Sequence, residues 1–208
     1  MFFVFDGVDG AGKTTQLKLF CQWLEENGHA SVFCRDPGST QLGERMRGIL
    51  LDDHDTPIDI RSEMMMFMTA RAQLVAEIIK PALDAKKVVV CDRYVFSTVV
   101  YQGHAGNLDP QEIWPVNQAA TGGLMADLTF ILDLDVDTSM SRIGDSPDRM
   151  ESRGKAYFEN VRAGFLHEAK SYPRTVAVVD VSRDVETIQN EIRTLAKKKM
   201  TNVNGETR

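Results

Sequence analysis

Within its first fifteen residues the chain sets Gly7-Val8-Asp9-Gly10-Ala11-Gly12-Lys13-Thr14 between the apolar run Phe2 to Phe5 and a helical pattern. That octet fits G-x-x-x-x-G-K-[ST]. Glycines at three of its positions let backbone N–H groups curl around phosphate oxygens with no Cβ in the way. The helix behind such a loop turns its positive end toward the bound anion. Lys13 is the residue type that bridges β- and γ-phosphates, and Thr14 offers the hydroxyl that such loops present to Mg²⁺. Gly7, Val8, Asp9, Gly10, Ala11, Gly12, Lys13, Thr14 and Thr15 are therefore expected to hold a nucleoside triphosphate. The motif needs a strand before it and a helix after it, so it points to an α/β chain with a buried first strand.

The remaining sequence supplies such a fold. Leu17, Phe20, Cys21 and Leu24 fall at i, i+3, i+4 and i+7, one face of a helix that Gly28 is placed to end. The continuous apolar run Val88 to Cys91 reads as a strand buried on both faces of a parallel sheet, and Ser31 to Cys34, Leu128 to Leu132 and Thr175 to Val181 read as further strands. Between them lie helical patterns: Ile58 to about Lys80 behind Thr56-Pro57, with Pro81 kinking or ending it; one from about Ile113 behind Asp109-Pro110-Gln111-Glu112; Lys155 to Lys170; and Asp184 to Lys198. Strands alternating with helices predict a parallel sheet wrapped on both faces, in one domain covering 1–208. The polar, Gly/Ser/Pro-rich stretch from Arg142 to Gly154 reads as a mobile lid, and 200–208 as a frayed tail.

Net charge is −6, so no large basic surface points to nucleic acid as a partner. Cys21, Cys34 and Cys91 are far apart, as are His29, His54, His104 and His167, so neither disulfides nor a structural metal is expected. The opening residues lack the basic flank and length of a signal peptide. No apolar run approaches the ~20 residues of a membrane span. A soluble cytoplasmic chain without a membrane partner is the expectation.

Three classes own such a loop: nucleotide switches, motor or transporter ATPases, and small-molecule kinases. A guanine-reading switch carries Asn-Lys-x-Asp, and no asparagine here precedes a lysine. A transporter ATPase carries a second glycine-rich signature, which is absent. Instead "VVVCDRY" sets Asp92 and Arg93 at the carboxyl end of a buried strand, the edge where open parallel sheets bind ligands. Asp92 is of the type that holds a Mg²⁺-bound water, and Arg93 offers a planar fork to a phosphate. Phe67 and Arg71, at i and i+4, share a helix face where a ring and a planar cation suit a nucleobase. Periodicity alone would make Phe67 core, together with most of Met64, Met65, Met66 and Met68.

Five segments, "GVDGAGKTTQ", "RDPGSTQLGERMR", "MMFMTARAQL", "DRYVFSTVVYQG" and "DRMESRGKAYFENVRAGF", span residue 7 to about 165 and together resemble the thymidylate kinases. The resemblance implies the nucleoside monophosphate kinase type of P-loop fold: a five-stranded parallel sheet, helices on both faces and a flexible lid. It implies γ-phosphoryl transfer from Mg-ATP to dTMP, giving dTDP and ADP for dTTP synthesis, by a homodimer. Asp9 then addresses the sugar and acceptor side. Arg35 and Arg47 hold the acceptor 5′-phosphate, and Phe67, Arg71, Thr98 and Gln102 read the thymine. Tyr101 packs where a ribose 2′-hydroxyl would clash. Catalysis falls to Lys13, Arg93, Arg149 and Asp9, with Arg153 beside Arg149 in the lid and Arg142 against the adenine. Thr14, and Asp92 through water, serve the Mg²⁺.

Some relatives carry an arginine in the phosphate loop where this chain has Gly10, which shifts the expected catalytic charge to the lid. The chain also departs from the family in having Asp36 where Glu is usual and Ser39 where Gly is usual; a positive φ at Ser39 would cost roughly 1–2 kcal/mol. Pro37 is a position where the family can hold a cis bond. Two other readings stay open: a kinase for another (deoxy)nucleoside monophosphate or a deoxynucleoside, and a nucleotide-binding regulator without transferase activity.

Overall fold

The computed structural model describes residues 1–52, 56–143 and 148–205, backbone only from 202. Part of the expected lid, 144–147, and the last three residues of the expected tail lie outside the described residues, as does His54.

The first strand, β1 (Phe2–Gly7), is buried along its whole length and sits at the centre of a five-stranded parallel sheet of order β2-β3-β1-β4-β5. The others are β2 (Ser31–Arg35), β3 (Val88–Asp92), β4 (Leu128–Asp133) and β5 (Val176–Asp180). Central strands flanked on both sides have no solvent face, which is why β1 and β3 read as unbroken apolar runs. The edge strands do not: Phe33 on β2 and Val178 on β5 are exposed. Register Phe5↔Asp92 and Gly7↔Leu132 brings the carboxyl ends of β1, β3 and β4 to one edge.

Helices cover both faces. Behind the loop, α1 (Lys13–Glu26) buries Leu17, Phe20, Trp23 and Leu24 on the sheet, and Phe20 meets Phe3 and Phe5 at ring separations of 5.3 Å. Its end is a Schellman turn: His29 N bonds Leu24 O and Gly28 N bonds Glu25 O, both at 2.9 Å, with Gly28 at φ 76°. Next comes α2 (Gln41–Arg47), capped by Thr40, with a π-helical turn (Gly48–Asp52) after it. The long helical pattern resolves into α3 (Ile60–Leu74), a π-helical turn (Val75–Ile79) and α4 (Lys80–Asp84). It starts later than Thr56-Pro57 would set it, because Asp59 caps it by accepting from Arg61 N at 2.9 Å. Pro81 neither ends the helix nor stands in its interior: it occupies the first turn of α4, where its missing N–H matters least, behind the wider π turn.

Beyond β3 come α5 (Val95–Thr98), a π-helical turn (Val99–His104) and α6 (Pro110–Thr121), whose cap Asp109 accepts from Gln111 N as the sequence predicts. Met64 and Met68 join Val99, Leu108 and Ile113 in a satellite core, whereas Met65 points outward, half exposed, so the methionine run is only partly core. After β4 follow α7 (Val136–Ser141) and α8 (Lys155–Ser171); after β5, α9 (Val185–Gly205) continues past the expected end at Lys198. None of the described helices is long and apolar enough to cross a membrane.

Candidate active site

The carboxyl edge of the sheet opens on two adjoining cavities. The wider, about 630 Å³, is lined by Gly10, Gly12, Lys13, Thr14, Thr15, Arg35, Asp92 and Arg142. The narrower, about 90 Å³, is lined by Pro37, Leu51, Phe67, Arg71, Ser97, Thr98, Tyr101, Gln102 and Met150. Asp9, Asp36, Arg47, Arg93 and Asp148 border both, so the two make one cleft.

The phosphate loop is held from below. Lys13 Nζ donates to the carbonyls of Gly7 (3.1 Å) and Val8 (2.8 Å), parking its charge under the loop. Burial lowers its pKa, and the Arg93 charge adds to that. Gly10, at φ 75°, lies so close to α7 that a Cβ there would stand 2.3 Å from the Ser139 carbonyl oxygen. Any side chain at position 10 is therefore excluded in this loop conformation, which gives a steric reason for the missing loop arginine.

Arg93 organises the junction. It adopts φ 66°, and its fork donates to Asp6 (3.2 Å), Gly7 O (3.0 Å), Ser97 Oγ (3.3 Å) and Asp9. Its guanidinium lies 5.0 Å from the centre of the Tyr101 ring, and the Tyr101 hydroxyl donates to Asp9 at 2.8 Å. Burial would raise the Asp9 carboxyl, but Arg93, Lys13 and Tyr101 outweigh it and hold the pKa below the usual value. The Asp6 carboxyl goes the other way: complete burial pushes it up against the pull of Arg93 and Ser97. Sequence reading passes over Asp6 because an acid inside an apolar strand carries no motif of its own.

On the acceptor side, Arg47 donates to Pro37 O at 3.3 Å and Arg35 to Glu44 at 2.9 Å. Burial, then the like charge of Arg35, depresses the Arg47 pKa, an electrostatic demand that a bound phosphate would relieve. The Asp36-Pro37 bond is cis, and Ser39 has φ 63°, the positive value a glycine would have taken freely. Its hydroxyl accepts from Arg35 N at 2.9 Å, tying the turn together.

Phe67 is half-buried and faces the cleft as well as the core. Arg71 is 1% exposed and is held more tightly than a base-reading residue is expected to be. Its N–H groups meet Asp36, Asn117, Met68 Sδ (3.6 Å), Tyr94 O (3.0 Å) and Thr98 Oγ1 (2.8 Å). Those five contacts match the five donors of a guanidinium. Asn117, far along the chain on α6, is one of the partners the sequence gives no means of finding.

The lid residues are placed differently from expectation. Arg142 is exposed and reaches Gly10 O at 3.4 Å, beside the phosphate cavity. Arg149 does not reach the phosphate loop. Its Nε donates to Leu50 O at 2.8 Å and its Nη2 pairs with Glu63, while Asp148 and Met150 on either side face the cleft. Arg153 joins the same Glu63 oxygen at 2.6 Å and stacks over Tyr157. The reason is local: Glu63 is fully buried on α3, and a buried carboxylate draws the nearest cations. Glu63, Phe67 and Arg71 stand at i, i+4 and i+8, so the helix face carrying the two expected residues already included the third.

Relatives share the sequence and the fold. A thymidylate kinase family model covers residues 5–192. The chain belongs to the thymidylate kinase family. A thymidylate kinase of Symbiobacterium thermophilum is 43% identical over 196 residues, covering 94% of this chain and 92% of that protein. One from an Exiguobacterium species is 39% identical over 194 residues, 92% of each chain. The crystal structure of thymidylate kinase from Ehrlichia chaffeensis superposes with a TM-score of 0.77 at 32% identity, covering 95% of this chain and 98% of that one. As a family member the chain has the parallel five-stranded fold that its sequence predicts.

Proposed function

We propose that the chain transfers the γ-phosphoryl group of ATP to the 5′-phosphate of dTMP, giving dTDP and ADP. The observation that carries this reading is the single cleft: a phosphate-loop cavity joined to a narrow ring-sized cavity through Arg93, Arg47 and Asp9. In that frame ATP lies on Gly7 to Thr15 with Arg142 over its base, and dTMP enters beside Phe67, Arg71, Thr98 and Gln102. A phosphate oxygen of dTMP attacks the γ-phosphorus in line as the bond to the bridging oxygen of ADP breaks, with no covalent enzyme intermediate. Lys13 and Arg93 neutralise charge on the donor, and Arg35 and Arg47 on the acceptor, which removes the repulsion between two polyanions. Asp9, fixed by Arg93 and Tyr101, faces the sugar. Arg149 would reach the transferring group only after leaving Glu63.

Mg²⁺ fits the residues present. Asp92 Oδ1 is buried without a hydrogen-bond partner among the described residues, and Asp92 lines the phosphate cavity together with the exposed Thr14 hydroxyl. Thr14 directly and Asp92 through water would hold the ion, which supplies positive charge to the phosphoryl oxygens when bound. We also take the enzyme to work in the cytoplasm, without nucleic acid or membrane, as a homodimer; exposed Met65, Leu42 and Ile49 offer apolar surface for a second copy.

The test is ADP production with Mg-ATP and a panel of acceptors: dTMP, dUMP, UMP, dCMP, dGMP, AMP and thymidine. Strong preference for dTMP is expected. Preference for another acceptor would discard the base-reading assignments, and turnover indifferent to every acceptor would discard the kinase.

A further inference from the structure

Glu63 is 0% exposed, and both of its oxygens are engaged. Oε1 accepts from Gln102 Nε2 at 2.8 Å, while Oε2 accepts from Arg149 and from Arg153. A carboxylate facing two guanidinium groups is an acceptor only, so the nitrogen end of the Gln102 amide has to face it. The oxygen end is then turned away from Glu63. Gln102 itself lines the ring-sized cavity.

We propose that Glu63 is a positioning residue for acceptor specificity: by fixing the nitrogen end of the Gln102 amide it sets the carbonyl oxygen opposite N3 of the base. This rests on the reading of the narrow cavity as the base site. A six-membered dione such as thymine or uracil has an N3–H that donates to that oxygen. Cytosine carries a bare N3 acceptor at the same place, so two lone pairs would oppose each other and the buried oxygen would go unsatisfied. A glutamine left to itself could flip and serve either base; the carboxylate removes that freedom. The two lid arginines hold the carboxylate in turn, so the lid contributes to base selection from outside the cleft.

Glu63→Gln tests this with almost no change of shape. In the variant the amide oxygen of residue 63 stays with the two guanidinium groups, so its NH2 faces Gln102 and favours the flipped Gln102 amide. Steady-state kinetics with dTMP and with dCMP give the ratio of their kcat/KM values. In Glu63→Gln that ratio is expected to fall by at least about tenfold, a modest part of the discrimination that a buried donor–acceptor match can give. A folded variant with the wild-type ratio overturns the proposal, because a merely structural role would lower both activities together. If wild type itself does not prefer dTMP to dCMP, the base-site reading falls first and takes this one with it. Should the variant not fold, wild-type protein answers the question by NMR of the Gln102 side-chain amide. The proton it donates to Glu63 is expected to stay protected from solvent exchange with and without dTMP. Free exchange of that proton, or protection only with dTMP bound, would show that Glu63 does not hold the amide.

Discussion

Arg71 is the residue whose replacement is most sharply constrained by the structure. In Arg71→Met a straight apolar chain replaces the guanidinium, and Asp36, whose side chain is 0% exposed, loses its ion-pair partner. Removing one member of a buried pair costs about 3–5 kcal/mol, since the other charge stays desolvated. Thr98, Asn117 and the Tyr94 carbonyl lose donors as well, at about 1–3 kcal/mol for each group left unsatisfied. These losses share one cavity and do not add, so we take about 4 kcal/mol as the expected total. For a chain of this size each kcal/mol moves the melting temperature by about 2–4 °C, which puts the drop at about 8–16 °C.

The assay is thermal melting by circular dichroism on wild type, Arg71→Met, Asp36→Asn and the double variant. Asp36→Asn/Arg71→Met is expected to melt well above the sum of the two single losses, because neither partner is left behind. Burial already raises the Asp36 carboxyl against the pull of Arg71. With Arg71 gone it rises further, so the penalty should shrink as the pH falls and Asp36 takes a proton. A drop of less than about 2 °C at neutral pH, against the 8–16 °C worked out above, would refute the buried network as argued. Strict additivity in the cycle would refute the pairing specifically.

Asp9 and Asp6 share Arg93 but should give pH dependences of opposite sign. The lowered Asp9 pKa contributes stability that is present above the unfolded carboxylate value and lost as the pH falls through the folded value. The urea midpoints of wild type and Asp9→Asn should therefore converge on acidification. The raised Asp6 pKa contributes stability that is full below the unfolded value and lost as the pH rises through the folded value, so wild type should gain on Asp6→Asn on acidification; either slope reversed would sink the assignment. Gly10→Ala should lower the melting temperature by several degrees and raise the KM for ATP, since its Cβ meets the Ser139 carbonyl; wild-type melting would show the loop to be looser than described. Arg149→Ala and Arg153→Ala should raise the KM for dTMP more than they lower kcat, as both act on Glu63. A hundredfold loss of kcat at constant dTMP KM would return Arg149 to the transferring phosphate.

What the sequence discloses and what it hides divide along a physical line. Strands β1 and β3 are legible because burial on both faces favours apolar residues, and the loop between β1 and α1 is legible because anion binding by backbone N–H groups demands glycines at fixed spacing. Gly28 and Asp109 are legible because a helix end leaves polar groups that a neighbour in sequence can satisfy. Each of these is a local requirement, met within a few residues. The identity of a partner across the fold is not local. No local signal shows that Arg71 meets Asn117 and Asp36, 46 and 35 positions away. Nor does any local signal show that Arg149 pairs with Glu63, buried and 86 positions distant. For charged residues, position in a motif identifies the neighbourhood, but the role follows from which donors and acceptors remain unspent once the fold has closed. By that criterion Arg93, which pairs with Asp9 and lines both cavities, is the cation we propose for the substrate, and Arg71, 1% exposed, is the one whose donors the fold has taken up.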